Sequence, residues 1–204
     1  MPLLSLAQGV EVVRLARRTL DSYVSTEERP KSARWTGYLG ERRGAFVTLN
    51  LRAPEGQSLR GCIGFPYPVK ELGEAVVEAT IGAASEDPRF PPVQLSELAE
   101  ILVEVSALTK PETIKVDRRS ELPSTIRTGT DGLIISTSYQ SGLLLPQVAV
   151  EFNLTPADFL TETCIKAGLP PDSWLLDGVN VQRFQAEVFA ELVARGTIKA
   201  VTFK

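Results

Sequence analysis

The sequence predicts an α+β fold in which helices pack on a mainly antiparallel sheet. Apolar residues recur at helical spacing in some segments and at every second position in others. The two kinds of segment follow one another without the regular strand–helix–strand repeat of a parallel sheet. The 204 residues are enough for a single domain, which we place over 1–204, or for two unequal lobes within it.

Three segments have the helical period: 5–24, 68–85 and 156–167. Ser5 is suited to cap the first helix. Pro88 is expected to end the second, because a proline pushes the residue before it out of the helical region. The third has Thr155 at its cap, Pro156 at its first helical position and Gly168 at its exit, which makes it the clearest helix of the chain.

Five segments alternate or are rich in residues that favour strands: 44–52, 58–64, 100–108, 132–138 and 180–190. A turn over 53–57 separates the first two, and the second is short and interrupted by glycine. Residues 143–152 begin as an apolar run and are predicted to turn helical after Pro146. The polar, turn-rich segment 109–130 carries no predicted element.

The composition predicts a cytoplasmic protein with reduced thiols. No apolar run is long enough to span a bilayer, and a charged amphipathic segment directly follows residues 1–5, which argues against a signal peptide. The single methionine, the absence of histidine and the few asparagines are typical of thermophile proteins. In a hyperthermophile, a disulfide between Cys62 and Cys164 is an alternative to two free thiols.

The absence of histidine excludes several kinds of site. A Ser–His–Asp triad and a Cys–His pair cannot be built. Two cysteines with carboxylates make a poor zinc site, and the glycine-rich phosphate loops GxGxxG and GxxxxGK[ST] are missing. A site built only from carboxylates for a hard ion such as magnesium is the alternative that stays open, although no EF-hand spacing supports it. We expect no metal site, and the sequence names no cofactor.

The stretch SLRGCIGFPYP, residues 58–68, holds the first candidate site. In a regular strand Arg60 and Cys62 point to the same face, and a guanidinium beside a thiol lowers the thiol pKa. Gly61 and Gly64 allow a ligand or another backbone to approach closely. The alternative is that Cys62 packs as a small apolar residue, as we expect for Cys164 on the apolar side of its helix.

The stretch SEDPRFPPV, residues 85–93, is the second candidate. Asp87 lies at a helix exit, and Arg89 follows a rigid proline. Without an imidazole in the chain, Asp87 or Glu86 is the candidate general base for Cys62. The alternative is a tight structural turn in which Asp87 binds nearby backbone amides.

The stretch SGLLLPQ, residues 141–147, is the third candidate. Its glycine, Gly142, and its amide, Gln147, suit either a buried turn or the wall of a pocket. The sequence leaves both interpretations open.

A basic stretch over 29–43 stands out from the net charge of −3 and the pI near 5.2, which argue against a general nucleic-acid binder. Its basic residues are Arg29, Lys31, Arg34, Arg42 and Arg43, with Trp35 and Tyr38 between them. One interpretation is a solvated loop with an aromatic anchor. The other is an anion-binding or strand-binding surface formed by Arg34, Arg42 and Arg43.

Three stretches together resemble blocks of the AMMECR-one family: LRGCIG at 59–64, DPRFPPV at 87–93 and GLLLPQVAVE at 142–151. FLTETCIKAGL at 159–169, Trp174 and FQAEVFAE at 184–191 resemble its C-terminal part, whereas the tail after Glu191 lies beyond the match. The resemblance implies a single α+β unit, sometimes described as two unequal lobes, with LRGCIG facing a cleft. The residues that match the blocks are Arg60, Gly61, Cys62, Gly64, Asp87, Arg89 and Gln147. The family brings no established activity with it.

The leading hypothesis is that a cleft around Cys62 and Arg60 binds a small anionic or carbonyl-bearing ligand. In the catalytic version of this hypothesis, the protein is a thiol-dependent enzyme that acts on this ligand. The alternative is a non-catalytic module that binds protein or RNA through the basic stretch 29–43. A third hypothesis is a scaffold in which the LRGCIG motif is purely structural. None of the three requires a membrane.

Overall fold

The computed structural model of the chain describes residues 4–29, 34–53 and 56–202. Its helices and antiparallel strands confirm the predicted α+β class. The chain divides into two units, Met1–Leu108 with Glu187–Val201 (unit 1) and Thr109–Ala186 with Thr202–Lys204 (unit 2). This division corresponds to the two unequal lobes that the sequence allows.

The helices and strands follow one another in the order α1 (Leu6–Thr26), β1 (Ala45–Ala53), β2 (Gly56–Phe65), α2 (Leu72–Ser85), β3 (Ile101–Leu108), β4 (Glu112–Thr113), β5 (Asp131–Ser136), β6 (Ser141–Leu144), α3 (Pro146–Glu151), α4 (Pro156–Lys166), β7 (Asn180–Glu191) and β8 (Ile198–Val201). None of the described helices is both long and apolar enough to cross a membrane.

In unit 1, β1 lies between β2 and β3, and both pairings are antiparallel. Ala45, Val47 and Leu49 alternate along β1 and are fully buried, because they join the core that α1 and α2 form against the sheet. The pairing of β1 with β2 shifts between Leu49 and Asn50, which leaves Arg60 as an extra residue in β2. The strand that carries the candidate cysteine therefore contains a bulge two residues before it.

The local signals for α1 and α2 are confirmed with small shifts at the ends. Ser5 caps α1 in a reciprocal capping box with Gln8. Leu6 begins the predicted apolar stripe but is 57% exposed, so the core contacts of the helix start further along it. The second helix begins at Leu72, four residues later than predicted, and ends before Pro88.

In unit 2, β5 lies between β6 and the first part of β7, and α4 packs beside them. The capping box of Thr155 with Asp158 and the positive φ of 74° at Gly168 confirm the predicted ends of α4. Pro146 begins α3, as predicted. Cys164 is fully buried in the core of this unit.

Three parts of the chain differ from the prediction. One is β6, which pairs with β5 where the sequence predicts only the start of an apolar run. The polar segment 109–130 contains the short strand β4 and a 3₁₀ helix over Arg119–Thr125. The unmatched tail contributes β8, which pairs with the end of β7. The short strands β4 and β8 depend on pairing with β7, and this pairing cannot be read from their local sequence.

Candidate ligand site around Cys62

Cys62 lies in the middle of β2, where its side chain is half-buried. Thr48 of β1 is its register partner, and Glu104 of β3 is the register partner of Thr48 on the other side. Directly paired residues point to the same face of a sheet, so the three side chains form a row across it. The Thr48 hydroxyl donates a hydrogen bond of 3.4 Å to Cys62 Sγ.

The pKa of Cys62 is raised above its ordinary value, chiefly because burial disfavours the thiolate. The Thr48 hydrogen bond and the charge of Arg89 lower this pKa, whereas the charges of Glu104 and Asp87 raise it further. The prediction of a thiol activated by a lowered pKa is therefore wrong. At neutral pH the thiol is protonated.

Arg60 does not supply the charge next to the thiol. Its Nε and Nη2 donate to the two carboxylate oxygens of Glu97 at 2.7 and 3.0 Å, and Nη1 donates to the Pro91 carbonyl at 2.9 Å. The side chain is buried, and its guanidinium also lies 6.0 Å from the ring centre of Phe90. Arg60 therefore holds the segment after Phe90 against β2. The bulge at Arg60 also removes the regular alternation on which the expected shared face with Cys62 depended.

Asp87 connects the backbone of Cys62 to Arg89. Its Oδ2 accepts the Cys62 N–H at 2.8 Å and Arg89 Nη2 at 2.7 Å, and its Oδ1 accepts the Arg89 N–H and Nε at 3.1 and 2.9 Å. The hydrogen bonds from the Arg89 side chain hold the pKa of Asp87 far below its usual range, although burial opposes them. A carboxylate this acidic is a poor general base, so the geometry supports the alternative interpretation of Asp87 as the anchor of a turn. Glu86, the other candidate base, is exposed and pairs with Arg29.

Arg89 is the accessible guanidinium of this cluster. Its side chain is 53% exposed although Asp87 binds it at two nitrogens. Nη2 also lies 3.4 Å from the Cys62 carbonyl oxygen, and the guanidinium lies 5.5 Å from the ring centre of Phe90. Hydrogen bonding to Asp87 raises the pKa of Arg89, so the positive charge is permanent.

At both glycines of the LRGCIG motif, other parts of the protein occupy the space that a side chain would need. A Cβ at Gly61 would lie 2.1 Å from the Ala83 carbonyl oxygen of α2, and a Cβ at Gly64 would lie 2.4 Å from the Ala45 carbonyl oxygen of β1. Of the two predicted uses of these glycines, the structure shows the close approach of another backbone.

The third candidate stretch, 141–147, lies in unit 2. Gly142 approaches the end of α4, where its Cβ would lie 2.3 Å from the Ala167 nitrogen. Leu144 lines a groove of about 630 Å³ between α3 and α4. Gln147 Oε1 is buried and has no hydrogen-bond partner within the part of the chain that the structure describes, and the role of this amide stays a prediction.

The basic stretch forms a smaller surface than its composition predicts. Arg43 is 1% exposed and pairs with Glu41 and Glu187, so it does not belong to a binding surface. Arg42 is exposed and donates to the Val69 carbonyl, and Arg34 is exposed. Lys31 lies outside the described residues.

Both cysteines are free, so the disulfide between Cys62 and Cys164 that the sequence allowed is not formed. Across residues 4–29, 34–53 and 56–202, no group of three or more Cys, Asp and Glu side chains could hold a metal ion. Sequence reasoning missed Thr48, Glu97 and Glu104. The alternation of 44–52 and 100–108 could have placed Thr48 and Glu104 on one face, but Glu97 carried no signal.

The family model for AMMECR1 matches residues 13–189, which include β1, β2, α2 and the turn at Asp87. The chain belongs to the AMMECR1 family. The match extends over the LRGCIG stretch and both other candidate stretches, so the resemblance seen in the sequence is confirmed.

Relatives of this AMMECR1 protein cover nearly its whole length. Protein MJ0810 from Methanocaldococcus jannaschii is 46% identical over 198 residues, 97% of each chain. Protein PH0010 from Pyrococcus horikoshii is 49% identical over 193 residues, 94% of this chain and 93% of that protein. The crystal structure of uncharacterized protein PH0010 matches with a TM-score of 0.91 at 46% identity, over 98% of both chains. These relatives come from thermophilic archaea, in agreement with the thermophile-like composition.

Proposed function

We propose that the surface of unit 1 around Cys62 binds a small anionic ligand, with Arg89 holding its charge. The observation that supports this proposal is the bridge through Asp87, which ties the Arg89 guanidinium to the backbone of Cys62 and leaves half of the Arg89 side chain exposed. A fixed guanidinium binds carboxylate and phosphate groups well, because its donors are already oriented.

Arg89 fits this role better than Arg60, the guanidinium that sequence reasoning favoured. Arg60 is buried, and Glu97 and two main-chain carbonyls already bind it. Arg89 still has Nη1, which takes no part in the hydrogen bonds to Asp87 and Cys62. An anion at Nη1 would meet a permanent charge with a free donor.

The proposed ligand lies beside a neutral thiol, because burial raises the pKa of Cys62. Binding, rather than thiolate catalysis, is therefore the activity that the geometry supports best. A neutral thiol is a weak hydrogen-bond donor and a polarisable contact for a ligand. The proposal assigns the protein to the cytoplasm, where Cys62 stays reduced.

Two alkylating reagents of similar size and different charge test the proposal. The rates at which iodoacetate and iodoacetamide modify Cys62 are measured at pH 9, and the ratio of the first rate to the second is calculated. Dividing this ratio by the corresponding ratio for glutathione corrects for the intrinsic reactivity of the two reagents. Two unit charges 4 Å apart in water interact by about 1 kcal/mol, which predicts about a fivefold preference for the anionic reagent. Arg89→Gln should remove this preference.

Arg127 offers a matched control. It binds the fully buried Asp131 through Nε and Nη2, and its side chain is 61% exposed, as in the Arg89–Asp87 pair, but it lies in unit 2. Arg127→Gln should keep the fivefold preference. If wild-type Cys62 shows no preference for iodoacetate, or if both variants lose it equally, Arg89 does not form an anion site.

A further inference from the structure

A second pocket of unit 1 combines positive charge with an aromatic ring. It has a volume of about 210 Å³ and lies between α1 and the segment around Trp35. Its lining residues are Glu11, Arg14, Leu15, Arg18, Trp35 and Leu39. The pocket shares no residue with the cluster around Cys62, so its function is independent of the one proposed above.

Arg14 and Arg18 lie one helical turn apart on α1 and are exposed. Among the described residues, neither makes a hydrogen bond or an ion pair. Arg17, on the same helix, is buried and forms an ion pair with Glu191, so its role is structural. Glu11 also lines the pocket, and its carboxylate accepts the Tyr38 hydroxyl. Two guanidinium groups and one carboxylate leave the pocket with a net positive charge.

Trp35 is held in place against the start of α2. A Cβ at Gly73 would lie 2.3 Å from the indole ring, so only glycine leaves room for the ring at this position. Leu15 and Leu39 are partly buried and pack against the core of unit 1. The pocket therefore offers a fixed aromatic surface with apolar neighbours and two cationic groups beside it.

We infer that this pocket binds a nucleotide, with the base stacked on Trp35 and the phosphate held by Arg14 and Arg18. Aromatic stacking combined with cationic contacts to phosphate is the recognition chemistry of nucleotides in single strands. The volume suits one planar ring, since pockets for drug-sized ligands begin at roughly 300 Å³. A free nucleotide and one unit of a single strand present the same base and phosphate.

The test titrates the protein with AMP and with an RNA octamer of adenosines, using tryptophan fluorescence and calorimetry. Both ligands should bind saturably and quench the emission of Trp35. Trp35→Phe should abolish the quenching while calorimetry still detects binding, because phenylalanine keeps a ring for stacking. An octamer that binds more than tenfold tighter than AMP identifies a strand as the source, and equal dissociation constants identify a free nucleotide.

Two double variants with the same net charge separate the pocket from general electrostatics. Arg14→Gln with Arg18→Gln removes the proposed phosphate contacts, whereas Arg52→Gln with Arg118→Gln removes two exposed charges elsewhere. The first variant should weaken binding at least tenfold and, for the octamer, reduce the slope of log K against log salt by about 1.4. The second should change neither. Absence of saturable binding by both ligands, or equal weakening in the two variants, would overturn the inference.

Discussion

Replacing Gly61 with alanine should force α2 away from β2. The new Cβ would lie 2.1 Å from the Ala83 carbonyl oxygen, whereas ordinary van der Waals contacts begin at 3.4 Å. Both atoms belong to the backbone or are fixed to it, so neither can rotate away, and the two elements must separate by about 1.3 Å. Overpacking of this kind costs about 1–3 kcal/mol, and we expect about 3 kcal/mol because a main-chain shift is needed.

The assay follows the unfolding of unit 1 by the fluorescence of Trp35. The chain has two tryptophans, so a Trp174→Phe background leaves Trp35 as the reporter. Urea titration should show a free energy of unfolding lower by about 3 kcal/mol in Gly61→Ala. For a chain of this length the same loss lowers the melting temperature by about 6–12 °C.

Two other glycines are graded controls. Within the described residues, a Cβ at Gly178 would meet nothing within 4 Å. Gly178 lies in unit 2, so Gly178→Ala is compared by the melting temperature of the protein, which should change by less than about 2 °C. A Cβ at Gly82 would lie 2.9 Å from the side chain of Ile63, which can rotate, and alanine favours a helix by about 1 kcal/mol over glycine. Gly82→Ala should therefore lie between the other two. If Gly61→Ala is as mild as Gly178→Ala, the account of Gly61 as a close-contact position is wrong.

Three further predictions concern the groups around Cys62. Asp87 has a folded-state pKa below the ordinary 3.8, so the ionised carboxylate stabilises the fold at neutral pH, and this stabilisation is lost as the pH falls through and below 3.8. In Asp87→Asn, the free energy of unfolding should therefore fall less steeply as the pH is lowered. Arg89→Gln should raise the pKa of the Cys62 thiol, because the charge of Arg89 lowers it, whereas Arg60→Met should leave this pKa unchanged. The pKa is measured from the pH dependence of alkylation by iodoacetamide. Thr48→Val should raise it as well by removing the hydroxyl donor. An alkylation profile that shifts in Arg60→Met but not in Arg89→Gln would reverse the assignment of the two arginines.

Structural elements that depend only on residues close together in the sequence could be predicted from it. The capping boxes at Ser5 and Thr155 and the glycine exit of α4 involve residues three or four positions apart or a single φ angle, so local sequence is sufficient. The alternation of apolar residues placed β1 and β3 for the same reason. The LRGCIG, DPRFPPV and GLLLPQ stretches also identify the family from the sequence alone.

Only the tertiary structure decided which carboxylate each buried arginine of unit 1 pairs with. Arg60 and Cys62 are two residues apart in sequence, but the bulge and the carboxylate of Glu97, 37 residues away, direct the guanidinium to the segment after Phe90. Arg43 looked like a surface charge, yet it is buried against Glu187, 144 residues along the chain. Such pairs form because burying a charge is unfavourable without an opposite charge, and the sequence does not reveal which distant carboxylate the fold will bring near. The sequence therefore determined the α-helices, the strands β1, β2, β3, β5 and β7 and the position of the candidate thiol. The folded structure decided where β4, β6 and β8 pair, and that the charge beside this thiol belongs to Arg89.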